Sequence, residues 1–340
     1  MNSHNKESSS TSRRTTGTLT KALIALATLA ALFPLTAAAV LPLRPRIGRV
    51  VPFSDLDAAG GLEGLAIAPN NDVYAAAQVE GIIYRITAKG AVSVFADFGI
   101  EPDDAYLIGL VVNGDGSLYV AVLGCVKPEL NGVWHVDTAG NLTLEFPMPT
   151  VVCGDSIPNA LAYDKAGNLY VTECAQGGIW LLGANGAELW FEDGLLKPRP
   201  ESLNQCGVDG IAYRNNSLWV NNLDTGTMVE VPIKGNGLPG EARLFAVGLG
   251  HPDGHQFDVQ GNLWVTNFGY EEWDVLDFST RNILRVSPRG DVSVAIPTES
   301  LSAVAPGGMP SPVFGFRRRT RPSSFPLSPF QRTQARASGE

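Results

Sequence analysis

The chain has 340 residues, 44% hydrophobic and 17% charged, a balance that excludes wholesale disorder and permits one large packed domain. Its formal charge of −9 is uneven: residues 1–39 carry +3 and residues 317–340 carry +5, which leaves −17 on the body between them. So acidic a body disfavours nucleic acid, which requires neutralising positive charge, and suits cations.

The first predicted element is an address. Arg13, Arg14 and Lys21 precede an apolar run over 22–35, followed by Thr36-Ala37-Ala38-Ala39. A basic segment, a short apolar segment and small residues at a cleavage point predict a signal peptide over 1–39. The run is short and interrupted by Pro34, unlike a membrane span. No later stretch is long and apolar enough to cross a bilayer, so the expectation is an exported protein, secreted or periplasmic, with no stable membrane insertion after cleavage.

From residue 62 the chain repeats. Leu62-Glu63-Gly64, Ile108-Gly109, Asn159-Ala160, Val208-Asp209-Gly210 and Pro252-Asp253-Gly254 recur 44 to 51 residues apart. Each is followed by a turn and a second strand, as in Ser117-Leu118-Tyr119-Val120 and Asn262-Leu263-Trp264-Val265. A third follows, as in Asn282-Ile283-Leu284-Arg285-Val286, and a fourth, as in Val92-Ser93-Val94-Phe95. The 37 glycines and 23 prolines, without a collagen period, supply the turns. Four short strands per unit of about 45 residues is the pattern of a β-propeller blade. No unit holds a helical period long enough for a parallel crossover, which argues against a βαβ fold. A solenoid is the structural rival, disfavoured by the variable spacing and the four-strand content.

Five complete repeats occupy 62–297. Residues 46–53 read as a fourth strand ahead of the first repeat, so a sixth blade has to draw its other strands from 301–340. Leu301-Ser302-Ala303-Val304-Ala305 and residues 313–316 are the available segments. The expectation is an all-β, six-bladed β-propeller with an irregular or incomplete last blade over 40–316. The Arg/Pro/Ser-rich string over 317–340 cannot pack a blade and is expected to be a disordered basic tail.

Four cysteines in an exported chain are candidates for disulfides. Cys125 and Cys174 each follow a second strand, and Cys153 and Cys206 each precede a first strand, both at the blade interval. In an up-and-down blade those two loops emerge on the same face. Cys125–Cys153 and Cys174–Cys206 are therefore the favoured pairing among three, each closing a loop that stabilises the fold by about 3–4 kcal/mol. Zinc held by four thiolates is the rival, but the spacing lacks a Cys-x-x-Cys knuckle.

First strands line a propeller's channel, and their opening residues ring its mouth. That position reads Glu63, Gly109, Asn159, Asp209 and Asp253. Three carboxylates brought together by radial symmetry repel one another unless a cation sits among them. Oxygen-only ligands suit a hard divalent ion, Ca²⁺ first, with Mg²⁺, Mn²⁺ or Zn²⁺ as alternatives. A turn cap at a strand start is the plainer reading of any one acid taken alone.

These residues resemble the SMP-30/gluconolactonase/LRE-like family. The resemblance rests on Leu62-Glu63-Gly64-Leu65, Pro158-Asn159-Ala160, Val208-Asp209-Gly210 and His251-Pro252-Asp253-Gly254 preceding Gly261-Asn262-Leu263-Trp264-Val265, and it covers about 46–300. It implies a six-bladed propeller with one divalent metal at the channel mouth, and hydrolysis of sugar lactones or related small esters. Carried over residue by residue, Glu63 and Asp253 are metal ligands, Asp253 is also the general base, and Asn159 lies near substrate or metal. The family pattern has Asn where this chain has Asp209, here a third acidic ligand. No match for the family's substrate-contacting arginine is visible.

His255, two residues beyond Asp253, is expected on the same strand face and is grouped with Asn159 as substrate-binding. His251 is a similar channel candidate. Glu271, Glu272, Trp273 and Asp274 fall in a long insert between the second and third strands of the fifth repeat, where a lid is one reading and a solvated loop the other. Ser156 and Ser202 lack a nucleophile elbow, and no phosphate loop or dinucleotide fingerprint is present. The expectation is a monomeric, metal-dependent hydrolase acting on a small-molecule substrate; a non-catalytic propeller that binds a ligand or a protein is the alternative.

Overall fold

A computed structural model describes residues 53–56, 58, 61–148, 150–202, 205–272 and 275–297, all within the unit Ile47–Glu340. The expected signal segment (1–39), the sixth-blade segments (46–52, 301–305 and 313–316) and the basic tail (317–340) lie outside the described residues.

The described residues form an all-β propeller of five four-stranded antiparallel sheets, each a simple meander. The first blade is β1 (Leu62–Ile67), β2 (Val73–Ala77), β3 (Ile82–Ile86) and β4 (Val92–Asp97). The second is β5 (Ala105–Val112), β6 (Leu118–Gly124), β7 (Gly132–Val136) and β8 (Leu142–Pro147), and the third is β9 (Pro158–Tyr163), β10 (Leu169–Glu173), β11 (Gly178–Gly183) and β12 (Gly186–Glu192). β13 (Val208–Arg214), β14 (Ser217–Asn222), β15 (Thr227–Pro232) and β16 (Arg243–Val247) make the fourth. β17 (His251–Phe257), β18 (Leu263–Glu272), β19 (Val275–Val286) and β20 (Val292–Ile296) make the fifth. Against the expected six blades, five are seen among the described residues. A 3-10 turn at Pro128–Leu130 is the helical element among them, and none of their helices is long and apolar enough to cross a membrane.

Alternating side chains bury both faces of a blade, so the core lies between blades. Tyr74 and Ile83 of the first blade pack with Leu107 and Leu118 of the second. Tyr170 and Ile179 of the third pack with Val208, Val220 and Val229 of the fourth. Burial on both faces is why the second strands read as near-continuous apolar runs.

Three of the turns share one device. In Asp164-Lys165-Ala166-Gly167-Asn168, the Asp164 carboxylate accepts hydrogen bonds from the Ala166 and Asn168 backbone N–H groups, at 2.8 and 2.9 Å, and Gly167 takes φ +86°. Asp137 with Gly140 and Asp258 with Gly261 repeat it, as an Asx turn with glycine in the left-handed region.

Every innermost strand carries a β-bulge at the same place. Leu62 and Leu65 pair with Ala77 and Ala75, so three steps on β1 oppose two on β2. The same extra residue lies between Leu107 and Leu110, Pro158 and Leu161, Val208 and Ile211, and Pro252 and His255. The pairs inside the bulges are Glu63-Gly64, Ile108-Gly109, Asn159-Ala160, Asp209-Gly210 and Asp253-Gly254. Their second members meet the next blade: a Cβ on Gly64 would overlap the Ile108 carbonyl oxygen, and one on Gly109 would overlap that of Asn159. A Cβ on Gly210 would come within 2.8 Å of the Asp253 carbonyl oxygen. At Gly64, Gly109 and Gly210 this close approach, more than φ, demands glycine; Ala160 fills the equivalent place in the third blade, and a Cβ on Gly254 would meet only Thr266 Oγ1, at 3.8 Å.

The inserted hairpin is ordered strand. Beyond His251↔Phe268, at the start of β17, β18 and β19 continue together through Gly269↔Asp277 to Glu272↔Val275. The insert expected between these strands is thus a continuation of the blade, at the end where the bulges lie; Trp273 and Asp274 lie outside the described residues.

Gly109→Ala is expected to destabilise the protein by about 1–3 kcal/mol, because the neighbouring backbone has to shift. Gly114→Ala, where a Cβ would meet nothing within 4 Å, should stay within about 0.5 kcal/mol. Urea denaturation of both variants checks the claim, and equal stabilities would contradict it.

Candidate functional site

The bulge also sets the first member of each pair apart from the strand's regular alternation. An extra residue re-aims the strand, so that the residue before the glycine projects out of the regular alternation. Five positions are equivalent: Glu63 (β1), Ile108 (β5), Asn159 (β9), Asp209 (β13) and Asp253 (β17). This corrects the sequence reading at the second repeat, where Gly109 was taken as the ring residue. Gly109 is the packing glycine, and buried Ile108 occupies the ring position.

Glu63, Asp209 and Asp253 come from three strands and interact electrostatically. Burial pushes the Glu63 carboxyl well above the usual range, and the Asp253 charge adds to it. Burial likewise raises Asp209, with Asp253 and then Glu63 contributing repulsion. Burial raises Asp253 to about 6, against the Gly254 backbone N–H that favours its charged form. Glu63 and Asp253 keep partial exposure while Asp209 is 4% exposed.

Asp209 bears most directly on what this group can hold. Its Oδ1 is buried without a hydrogen-bond partner. Its Oδ2 lies 3.6 Å from Cys206 Sγ, which is bridged to Cys174 and has no hydrogen to donate. A buried carboxylate without donors, facing two others, fits a divalent cation: the ion would remove both the repulsion and the orphaned oxygen. The donor set is all oxygen, as hard cations prefer. The three carboxylates are nevertheless not drawn as close as ligands of one ion. Among the described residues, the group whose ligand atoms lie within 4.8 Å of one another is Cys174, Cys206 and Asp209.

Second-strand residues opposite the bulges hold the ring in place. The Thr172 hydroxyl donates to the Asp209 carbonyl at 2.5 Å and accepts from the Ala160 N–H at 3.0 Å. Asn221 Nδ2 donates to the Pro252 carbonyl at 2.7 Å, and the Thr266 hydroxyl donates to that of Gly254 at 2.9 Å. Sequence reading missed these three. The signal was a repeat position, occupied by Ala76 and Ala121 in the first two blades and by hydrogen-bonding residues in the last three.

His255 is placed differently from the expectation. The bulge between Pro252 and His255 breaks the strand alternation, so the two-residue spacing does not put His255 on the face of Asp253. Its ring nitrogens lie 2.6 Å from Asn221 Oδ1 and 3.0 Å from the Trp219 carbonyl oxygen, spanning β17 and β14. Burial lowers its pKa to about 4. Asn159 has the ring position expected of it, partly exposed.

The rim is tied down. Disulfides join Cys125 to Cys153 and Cys174 to Cys206, each linking the loop after a second strand to the loop before the next first strand. Arg199, in the segment leading to Cys206, donates to the buried Asp224 carboxylate through its backbone N–H at 2.6 Å, Nε at 3.1 Å and Nη2 at 3.0 Å. Burial alone would raise Asp224, but the Arg199 and Ser202 hydrogen bonds outweigh it and hold the carboxyl low. Arg199 brings an arginine to the rim that motif reading did not find, with its guanidinium engaged by Asp224. His251 is buried near this pair, and burial lowers its pKa. Glu173 accepts from the Ile157, Ala175 and Gln176 N–H groups, fixing the third blade's loop.

The chain matches no protein-family model and no curated protein. Solved structures share its fold. It is similar to a gluconolactonase from Xanthomonas campestris at 17% identity and TM-score 0.53, over 71% of this chain and 77% of that one. It is similar to the calcium-binding protein regucalcin from Agrobacterium tumefaciens at 19% identity and TM-score 0.52, over 73% and 77%. A virginiamycin B lyase from Staphylococcus aureus matches at 17% identity and TM-score 0.50, over 71% and 72%. The family resembled by the ring motifs thus appears among the structural neighbours, and these likenesses establish the propeller fold.

Asp209→Asn removes the most buried of three mutually repelling acids. In the presence of a chelator the variant is expected to melt about 2–4 °C above the parent, and millimolar Ca²⁺ should raise the melting temperature of the parent alone. Calorimetry reads both effects. A variant that melts lower in chelator would contradict the account of the cluster.

Proposed function

We propose that the protein is an exported, metal-dependent hydrolase of a sugar-type lactone or a related small ester. The observation that carries this reading is that Glu63, Asp209 and Asp253, from separate blades, raise one another's pKa in a buried region where, among the described residues, no basic group offsets them, Asp209 Oδ1 being buried and unpartnered. The fold likeness to a gluconolactonase and to a calcium-binding regucalcin supports it. The chain is proposed to complete a sixth blade from 46–53 and 301–316, and to reach the secreted or periplasmic space through residues 1–39.

Glu63, Asp209 and Asp253 would hold one divalent cation, Ca²⁺ first. Bound there, it supplies Lewis-acid polarisation of a carbonyl and charge stabilisation. Asp253 serves as general base: with its carboxyl raised to about 6, it can accept a proton from a water near neutral pH. Asn159, on the same ring, offers an amide to the substrate's hydroxyl or carbonyl groups. His255, clamped by Asn221 and Trp219, holds the strand that carries Asp253. The rim disulfides and the Arg199–Asp224 pair keep these strand ends from drifting, as positioning chemistry requires.

Purified protein offered a panel of aldonolactones and homoserine lactones is expected to show chelator-sensitive hydrolysis, lowered about 10²–10⁴-fold by Asp253→Ala. Its rate should rise with pH along a limb centred at or below about 6, as Asp253 loses its proton. Turnover unaffected by chelator and by Asp253→Ala would overturn the proposal. A tightly held ion with no turnover would make the propeller a binding module.

A further inference from the structure

The group formed by Cys174, Cys206 and Asp209 is used by the proposed hydrolysis only through its carboxylate. Its geometry is specific. Cys206 Sγ and Asp209 Oδ2 are 3.6 Å apart, and a sulfur at ~2.3 Å and an oxygen at ~2.0 Å from one tetrahedral zinc are separated by about 3.5 Å. Cys174 Sγ is bonded to Cys206 Sγ; once that bond is broken, the two sulfurs have to part to about 3.8 Å to share one tetrahedral ion, with their Cα atoms 4.7 Å apart. Asp209 is 4% exposed with Oδ1 unpartnered, and Cys174 is fully buried. Two sulfurs and a carboxylate oxygen within 4.8 Å of one another make the donor set of a thiolate-rich zinc site with one open position, masked by the S–S bond.

We infer that Cys174–Cys206 is a redox-gated metal site: reduction of this disulfide unmasks two thiolates that bind a soft divalent ion, Zn²⁺, together with Asp209. The reductant is a dithiol. One of its thiolates attacks the sulfur of Cys206, the partly exposed residue of the pair, and the S–S bond breaks with Cys174 leaving as a thiolate that takes a proton. The second thiol of the reductant then displaces Cys206 and closes the reductant's own disulfide. The protein gains two electrons and two protons, and the dithiol loses the same. Zinc binding releases the two thiol protons to solvent. Asp209 belongs to both donor sets, so zinc capture withdraws a carboxylate from the Glu63–Asp253 cluster. The oxidised protein keeps that carboxylate for a hard cation and the reduced protein commits it to a soft one. The zinc site itself stands whether or not the propeller hydrolyses lactones, because its donors are defined without the reaction.

The test uses the full chain and Co²⁺ or Zn²⁺ alone as the probe. Oxidised protein is expected to show no thiolate-to-cobalt charge-transfer band. After reduction by a dithiol and its removal under anaerobic conditions, one equivalent of Co²⁺ should give that band, and Zn²⁺ should displace it. Zn²⁺ should also protect Cys174 and Cys206 from iodoacetamide while Cys125 and Cys153 are alkylated, as read by peptide mass spectrometry. Asp209→Asn should weaken Co²⁺ binding at least about tenfold while leaving the number of titratable thiols unchanged. This protection experiment needs no cysteine variant, so misfolding of Cys174→Ser does not affect the result. Equal alkylation of all four cysteines in the presence of zinc, or a cobalt band of the same affinity in Asp209→Asn, would overturn the inference.

Discussion

The hub of this propeller is a place where backbones touch. Inner strands of adjacent blades approach so closely that a single methyl group on Gly64, Gly109 or Gly210 would strike the next strand's carbonyl oxygen or a side chain anchored beside it. Each inner strand carries an inserted residue at this level, and in the first, second and fourth blades the insertion sets a glycine that lets the blades meet beside a residue released from the regular alternation. The packing and the chemistry of this protein therefore arise from one irregularity repeated in each blade.

Electrostatics follow from that arrangement. A body carrying −17 places three acids at equivalent bulges, where burial disfavours their charge. Among the described residues, two of the arginines are engaged elsewhere: Arg199 pairs with Asp224 and Arg85 with Asp72. Cross-links at the rim fix the loops that lead into these strands. Among the described residues no cationic group offsets this cluster of like charges, a setting that an external positive charge would relieve.

The blade architecture was legible because its causes are local: an Asx-turn aspartate with a left-handed glycine, an alternating strand, and a period near 45 residues. The acids at Glu63, Asp209 and Asp253 were legible for the same reason, as polar residues recurring beside glycine. What escaped depended on pairing register, which a single strand does not reveal. The bulge transferred the second blade's ring position from Gly109 to Ile108 and moved His255 off the face of Asp253. Thr172, Asn221 and Thr266 were missed because their role exists only once they face the bulge of a neighbouring strand. The Arg199–Asp224 pair joins a loop to the end of β14 across 25 residues, a separation that no motif encodes.

Anomalous diffraction from crystals grown with Mn²⁺ or Tb³⁺ tests the central claim most directly. The account predicts a single peak bounded by carboxylate oxygens of Glu63, Asp209 and Asp253, at about 2.1–2.6 Å from each. A peak elsewhere, or none while the three side chains diverge from the axis, would contradict it.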